Sequence, residues 1–196
     1  MNIIILSGMP ATGKSTLAAK LQQRFGYPIL EKDYIKEGLF DTLGFSCYAE
    51  KKALDAAATD ILLRMIGQLA KAGGSMIIDN NFNATDIQAL NKILEEHGGK
   101  CVTVFLTGDP QVLYERYVER DSHFRRHIGH AMQTHYPLAE GEAPSFAMTR
   151  ETYDQRFLHQ STVSDDLQGA CIPVDTTDLK AVNMDAILDA VAAALN

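Results

Sequence analysis

The sequence predicts an α/β fold: a five-stranded parallel sheet with helices on both faces, in three layers, plus a lid-like insertion. Three observations predict it. Short apolar runs alternate with longer stretches of helical periodicity, the order that builds a parallel sheet. A glycine-rich turn, "SGMPATGKST" at residues 7–16, joins the first apolar run to the first helical stretch. One later segment, Asp121–Met148, breaks the alternation with crowded His and Arg and with Pro137, Gly141 and Pro144.

Strands are expected at Asn2–Leu6, Tyr27–Leu30, Ser75–Ile78, Lys100–Leu106 and Ala170–Val174, all short and rich in Ile, Val and Leu. Such near-continuous apolar runs suit strands buried on both faces. Helices are expected at Lys14–Phe25, Asp33–Leu43, Ala84–His97, Pro110–Arg120 and Met184–Leu195. Pro110 suits a first helical turn, with Asp109 before it as the cap. The longest helix is expected from about Tyr48 to Ala72, with Leu54, Ala57, Ile61, Leu62, Met65 and Leu69 forming its core stripe. The segment 121–148, with the arginines just before it, reads as a lid spanning approximately 116–148 within a single domain of residues 1–196.

Bulk composition narrows the function. The 196 residues are 46% hydrophobic, and no apolar run reaches the roughly 18 residues of a membrane span. "MNIIIL" lacks a basic region and runs straight into the glycine turn, so a cytoplasmic protein without membrane partners is expected. A net charge of -7 has the wrong sign for gripping long nucleic acid. Cys47, Cys101 and Cys171 show no Cys-x-x-Cys spacing and are expected to be reduced, packed thiols.

Gly8-x4-Gly13-Lys14-Ser15 matches the phosphate-binding loop. Glycines let the backbone wrap tightly enough for the loop's N–H groups to point inward at phosphate oxygens, and the helix after them adds its positive end. Lys14 would reach the β- and γ-phosphates, Ser15 would ligate Mg2+, and Thr16 would lie near the α-phosphate. Met9, Pro10, Ala11 and Thr12 thus join the expected nucleotide site, and ATP and Mg2+ are the expected cofactors. The guanine-reading Asn-Lys-x-Asp is absent, since "NKIL" at Asn91–Leu94 has no Asp in fourth place.

A phosphate loop is common to many activities, and carboxylates distinguish among them. Asp33, just past a second strand expected next to the first, would accept or orient an attacking hydroxyl; capping the next helix is the competing role. Asp79 closes "MIID" where an Mg2+-holding acid belongs. Asn80, Asn81 and Asn83 come directly after it and suit either substrate hydrogen bonding or a loop, with Asn80 and Asn83 assigned to substrate. Arg116, Arg120, Arg125 and Arg126 supply cations for a transferring phosphoryl group, unless they pair with neighbours such as Glu115 and Glu119. His123, His127 and His130 have no Cys or carboxylate completing a ligand set, so substrate contact or plain surface is expected, with Arg126 and His127 on the substrate side.

With "GMPATGKST", "EKDYIKEGL", "IIDNNFN", "ERYVER", "RRHIGH" and "PVDTTDL" in this order, the chain resembles small P-loop kinases. That group includes polynucleotide 5′-kinases, gluconate and shikimate kinases, chloramphenicol phosphotransferase and zeta-type toxins, and the chain is most similar to AAA-family, zeta-toxin-like kinases. The resemblance spans almost the whole chain and implies the P-loop NTPase fold. It also implies a catalytic Asp33, lid arginines at Arg116 and Arg120, and an adenine-facing loop at Val174, Asp175, Thr176 and Thr177. Residues 131–148 match no substrate motif. The expected activity is transfer of the γ-phosphoryl group of ATP to a hydroxyl of a small molecule. A polynucleotide 5′-hydroxyl kinase, a hydrolysing ATPase and a nucleotide-binding, toxin-like regulatory module are the alternatives; the segment's Ala/Pro/Gly character and the acidic balance count against the polynucleotide.

Overall fold

In β1 (Asn2–Gly8), Ile3 and Ile5 point to one side of the sheet, Ile4 and Leu6 point to the other, and all four are sealed from solvent. That alternation calls for two layers of helix. On the Ile4 and Leu6 side, α1 (Lys14–Phe25) packs Leu17 and Leu21, and the carboxy-terminal helix, Met184–Leu195, packs Leu188 and Val191. On the Ile3 and Ile5 side, a helix over Tyr48–Lys71 packs Leu62 and Ile66, and one over Ala84–His97 packs Ile87 and Leu90. The computed structural model describes residues 1–122, 126–146, 148–158 and 166–196.

The chain continues from α1 through β2 (Ile29–Glu31), α2 (Lys32–Leu43), α3 (Tyr48–Lys71), β3 (Met76–Asp79), α4 (Ala84–His97), β4 (Lys100–Thr107) and α5 (Pro110–Ser122). A 3₁₀ turn at Ile128–His130, α6 (Arg150–Phe157), β5 (Ala170–Asp175) and α7 (Met184–Leu195) complete it. The strands pair in the order β2-β3-β1-β4-β5, all parallel, with Leu6 opposite Asp79 and Asp79 opposite Glu31, so β3 and not the expected second strand lies next to β1. Every strand therefore ends at one edge of the sheet, where ligands of open parallel sheets bind.

The expected helix limits agree where local chemistry punctuates the chain. Gly26 ends α1 with a φ of 70°, and Asn83 and Asp86 form a capping box that starts α4. Asp109 Oδ1 accepts the N–H groups of Gln111 and Val112 at 2.9 and 3.1 Å, the expected cap of α5. Four features differ. The buried stripe of α3 is Ala58, Leu62, Ile66 and Ala70, so of the expected positions only Leu62 is fully buried, and Met65 is 40% exposed. Helix α6 was not expected; its single buried residue is Tyr153. Of the three free cysteines only Cys101 is packed, and burial pushes its thiol up to about 12, whereas Cys47 and Cys171 are exposed.

The fourth is the insertion, which docks closely on α2. Gly129 is buried against Phe40, where a Cβ would lie 2.3 Å from the ring, and Phe45 and Tyr136 exchange backbone hydrogen bonds of 2.8 and 2.7 Å. Among the described residues no helix is long and apolar enough to cross a membrane.

Candidate active site

The loop between β1 and α1 is built by backbone conformations that few residues tolerate. Gly8 has a φ of 127°, and a Cβ there would sit 1.9 Å from the carbonyl oxygen of Leu106, so only glycine lets β1 end against β4. Gly13 caps α1 with a φ of 89° and contributes no side chain, leaving the first N–H groups of the helix for an anion. Between them Ala11, with a φ of 64°, is the one non-glycine residue of positive φ among the described residues. Such strain persists where the surroundings enforce it. Thr12 Oγ1 donates to Met9 O at 2.8 Å across the turn, and Met9 itself is buried against Leu113, Tyr117, Met148 and Tyr153.

Lys14 spans the mouth of this loop, its Nζ donating to Gly8 O at 3.0 Å and Met9 O at 2.9 Å. Burial pulls its ammonium below the ordinary lysine range, opposed by Asp79 and Asp33 and assisted by Arg120 and Arg126. Four charged groups from four different segments thus act on one lysine.

Asp79 stands at the end of β3, and burial raises its carboxyl to about 6, with Glu31 and Asp33 adding to the rise. Lys14 and a hydrogen bond with Ser15 pull the other way. A serine hydroxyl and a carboxylate joined across the loop form an all-oxygen donor set, which fits Mg2+. Thr16 is exposed in the first turn of α1, and Pro10 is half-buried at the loop tip.

Asp33 is the second residue of α2, its side chain 53% exposed. Burial of the carboxyl pushes it up, but Lys36, His130 and Arg126 outweigh this and hold it well below the usual carboxylate range. Lys36 Nζ lies 2.7 Å from Asp33 and 3.2 Å from Asp55, and Asp55 also takes Lys32 at 3.0 Å. Sequence reasoning missed this ladder from α2 to α3. Lys36 was legible as the i+3 partner of Asp33 on a helix; Asp55 required the tertiary fold.

The predicted cations divide. Arg120 stays at the site: its Nε donates to buried Asp121 at 3.2 Å, its guanidinium lies 5.0 Å from the Tyr117 ring, and its Nη2 is buried without a hydrogen-bond partner among the described residues. Arg126 reaches both Asp33 and Asp121, at 3.8 and 4.0 Å. Arg116 does not: its Nη1 and Nη2 donate to the carbonyls of Thr176 and Thr177, both at 2.6 Å, so it braces the β5–α7 turn instead of facing a transferring group. Arg125 and His123 lie outside the described residues.

Two predicted substrate contacts, Asn83 and His127, find other work. Asn83 caps α4. Asn80 is 7% exposed, with its backbone N–H on Leu6 O and its Nδ2 buried without a hydrogen-bond partner among the described residues. His127 accepts from Gly129 N–H through Nδ1 at 3.0 Å, which makes Nε2 the donor to Asp41, also at 3.0 Å. Its partner His130, 6% exposed in its side chain, lies 2.7 Å from Glu37, and both histidines fasten the insertion to α2. Asn81 has the part that reasoning from sequence did not assign: its amide donates to Gly8 O at 3.0 Å and accepts Gly8 N–H at 2.8 Å, clamping the start of the phosphate loop.

In the expected adenine loop the side chains bond to protein. Thr176 Oγ1 donates to Thr107 O at 2.7 Å, and Asp175 Oδ1 accepts from Thr177 Oγ1 at 2.6 Å. Val174 is buried. Leu179, 47% exposed, lies beside Gly13 and is the apolar surface that this turn offers next to the phosphate loop.

Residues 3–136 match the sequence profile of the AAA domain family. Among solved structures the chain is similar to a protein from Chloroflexus aurantiacus provisionally described as a kinase, at 26% identity over 100% of this chain and 98% of that one, with a TM-score of 0.77. It is similar in fold to a gluconokinase from Sinorhizobium meliloti, at 17% identity over 99% and 91% of the two chains and a TM-score of 0.55. The same holds for an APS kinase from Mycobacterium tuberculosis solved with AMPPNP and APS, at 16% identity over 99% and 96% and a TM-score of 0.56. The five-stranded parallel sheet with helices on both faces is thus the P-loop NTPase kinase fold, as the sequence predicted. A comparison with curated proteins finds no match.

Proposed function

This chain belongs to the AAA domain family, and we propose that within it the chain is an ATP- and Mg2+-dependent kinase that phosphorylates a hydroxyl of a small molecule. The observation that carries the reading is the convergence of Asp79, Arg120, Asp33 and Arg126 on Lys14 at the strained loop. A phosphate loop alone serves many activities; a loop flanked by Asp79 from the neighbouring β3, by Asp33 from the helix after β2 and by two arginines suits phosphoryl transfer to an acceptor.

In this reading the loop amides and Lys14 hold the triphosphate, and the Asn81 clamp on Gly8 keeps the loop in shape. Ser15 and Asp79 would hold Mg2+, which supplies charge neutralisation to the phosphate oxygens when bound. Asp33 takes a hydrogen bond from the acceptor hydroxyl and points its oxygen at the γ-phosphorus. The oxygen–phosphorus bond to the acceptor forms as the bond to the β–γ bridging oxygen breaks, and ADP leaves. Because Lys36 and Arg126 keep Asp33 a weak base, it orients the hydroxyl and receives the proton late, once bonding to phosphorus has acidified that oxygen. Arg120 stabilises the charge on the transferring group, and Arg126, beside Asp33, faces the acceptor.

ADP release measured against a panel of hydroxyl compounds tests this. Release that depends on an acceptor supports the kinase; release at full rate without one would make the protein a hydrolysing ATPase.

A further inference from the structure

Beyond Asp33, cations gather between α2, α3, the insertion and α6. Lys36 is neutralised by Asp33 and Asp55. The other three are not matched in this way. Lys51 Nζ donates to two carbonyl oxygens, Ala131 at 2.6 Å and Gln133 at 3.3 Å, and lies 5.3 Å from the Phe45 ring, with no carboxylate paired to it among the described residues. Arg156 has one hydrogen bond among the described residues, from Nη1 to Met132 Sδ at 3.4 Å. Arg126 has its two carboxylates only at 3.8 and 4.0 Å. Burial, together with Arg156, Lys36 and Arg126, holds the Lys51 ammonium down to about 8, a sign of how closely these cations crowd one another.

A chain of net charge -7 that concentrates under-paired cations beside its acceptor aspartate carries a local repulsion, which an anion would relieve. The cluster is continuous with the acceptor aspartate: Lys51 is one helical turn before Asp55 on α3, and Asp55 and Asp33 both bind Lys36.

We propose that Lys51, Arg126 and Arg156 bind an anionic group of the phosphoryl acceptor, so that the acceptor is a small alcohol carrying a carboxylate or a phosphate. The inference rests on the kinase reading above, because the hydroxyl must face Asp33. A neutral polyol would leave the cations unmatched and bind weakly.

The test is calorimetric titration of the full chain with glycerol, glycerate and glycerol 3-phosphate, the phosphate loop first saturated with a non-hydrolysable ATP analogue and Mg2+. The expected result is affinity for the anionic probes at least tenfold above that for glycerol, weakening with salt. Both Lys51→Met, which keeps the aliphatic stem, and Arg156→Ala, which alters an exposed side chain, should cost fivefold or more. Tighter binding of glycerate would identify a carboxylate site, and tighter binding of glycerol 3-phosphate a phosphate site. Equal binding of all three probes, no binding of any, or wild-type affinity in both variants overturns the proposal. ADP release with the same probes is read separately: anion binding without turnover on any hydroxyl acid or phosphate would remove the kinase reading and leave the anion site standing.

Discussion

Replacing Asp121 with Asn should unmoor two arginines at once. Its carboxylate is 3% exposed, accepts Arg120 Nε at 3.2 Å, lies 4.0 Å from Arg126 and receives the Tyr117 hydroxyl. Hydrogen bonds to charged groups contribute about 1.5–3 kcal/mol, and breaking a buried pair costs about 3–5 kcal/mol. Arg120 is 34% exposed, so solvent screens part of the loss. A destabilisation of about 2 kcal/mol results, which in a chain of this size lowers Tm by about 4–8 °C. Catalysis should fall further than stability explains, because Arg120 loses the anchor that aims it: kcat drops by about 10², with KM for ATP changed less than threefold. Asp121→Glu, which restores the charge, should recover part of kcat. Differential scanning calorimetry and a coupled ADP assay at a temperature where both proteins are folded measure the two effects. A lowered Tm with unchanged kcat would refute the positioning argument, and unchanged values of both would refute the geometry.

Lys14→Met should abolish phosphoryl transfer and weaken nucleotide binding in a fluorescence titration; unaltered turnover would remove the phosphate-loop assignment. Arg116→Ala removes two hydrogen bonds to the β5–α7 turn and should raise KM for ATP by about tenfold while kcat stays within threefold. Loss of kcat at constant KM would return Arg116 to the transferring group. Burial lowers His130 from 6.5 to about 3, so as pH falls below 6.5 the unfolded chain takes up this proton before the folded one. Its stabilisation is therefore full above pH 6.5 and is lost progressively down to about 3, offset in part by the opposing proton uptake of Glu37, whose carboxyl is raised by burial. Thermal melts of His130→Gln should show a flatter acid limb than the parent, and parallel limbs would contradict this.

How much was legible in the sequence depends on the range of each interaction. The limits of α1, α4 and α7 are set by residues next to them, such as Gly26 and Asn83, and were read from the chain. Strand ends ran one or two residues further, since Gly8 and Asp79 keep pairing after the apolar run stops. Helix α6, "RETYDQRF", hides one tyrosine and so has no stripe to detect. The phosphate loop is local and carried its own signature. Arg116 and Arg120 do share a helix, yet the former meets Thr176 across the sheet edge, which spacing along α5 cannot reveal. The same limit hid the Asn81 clamp, Asp121 and the Lys51 cluster, whose roles arise from contacts between distant segments.

The central claim is that the Asp33 carboxylate aligns an alcohol with a triphosphate seated on the loop amides. Asp33→Asn, assayed for ADP release at saturating acceptor and for ATP affinity by titration, tests it most directly. The account predicts a fall in kcat of about 10²–10⁴, with ATP affinity within threefold of the parent. Parent-level kcat in the variant would contradict it.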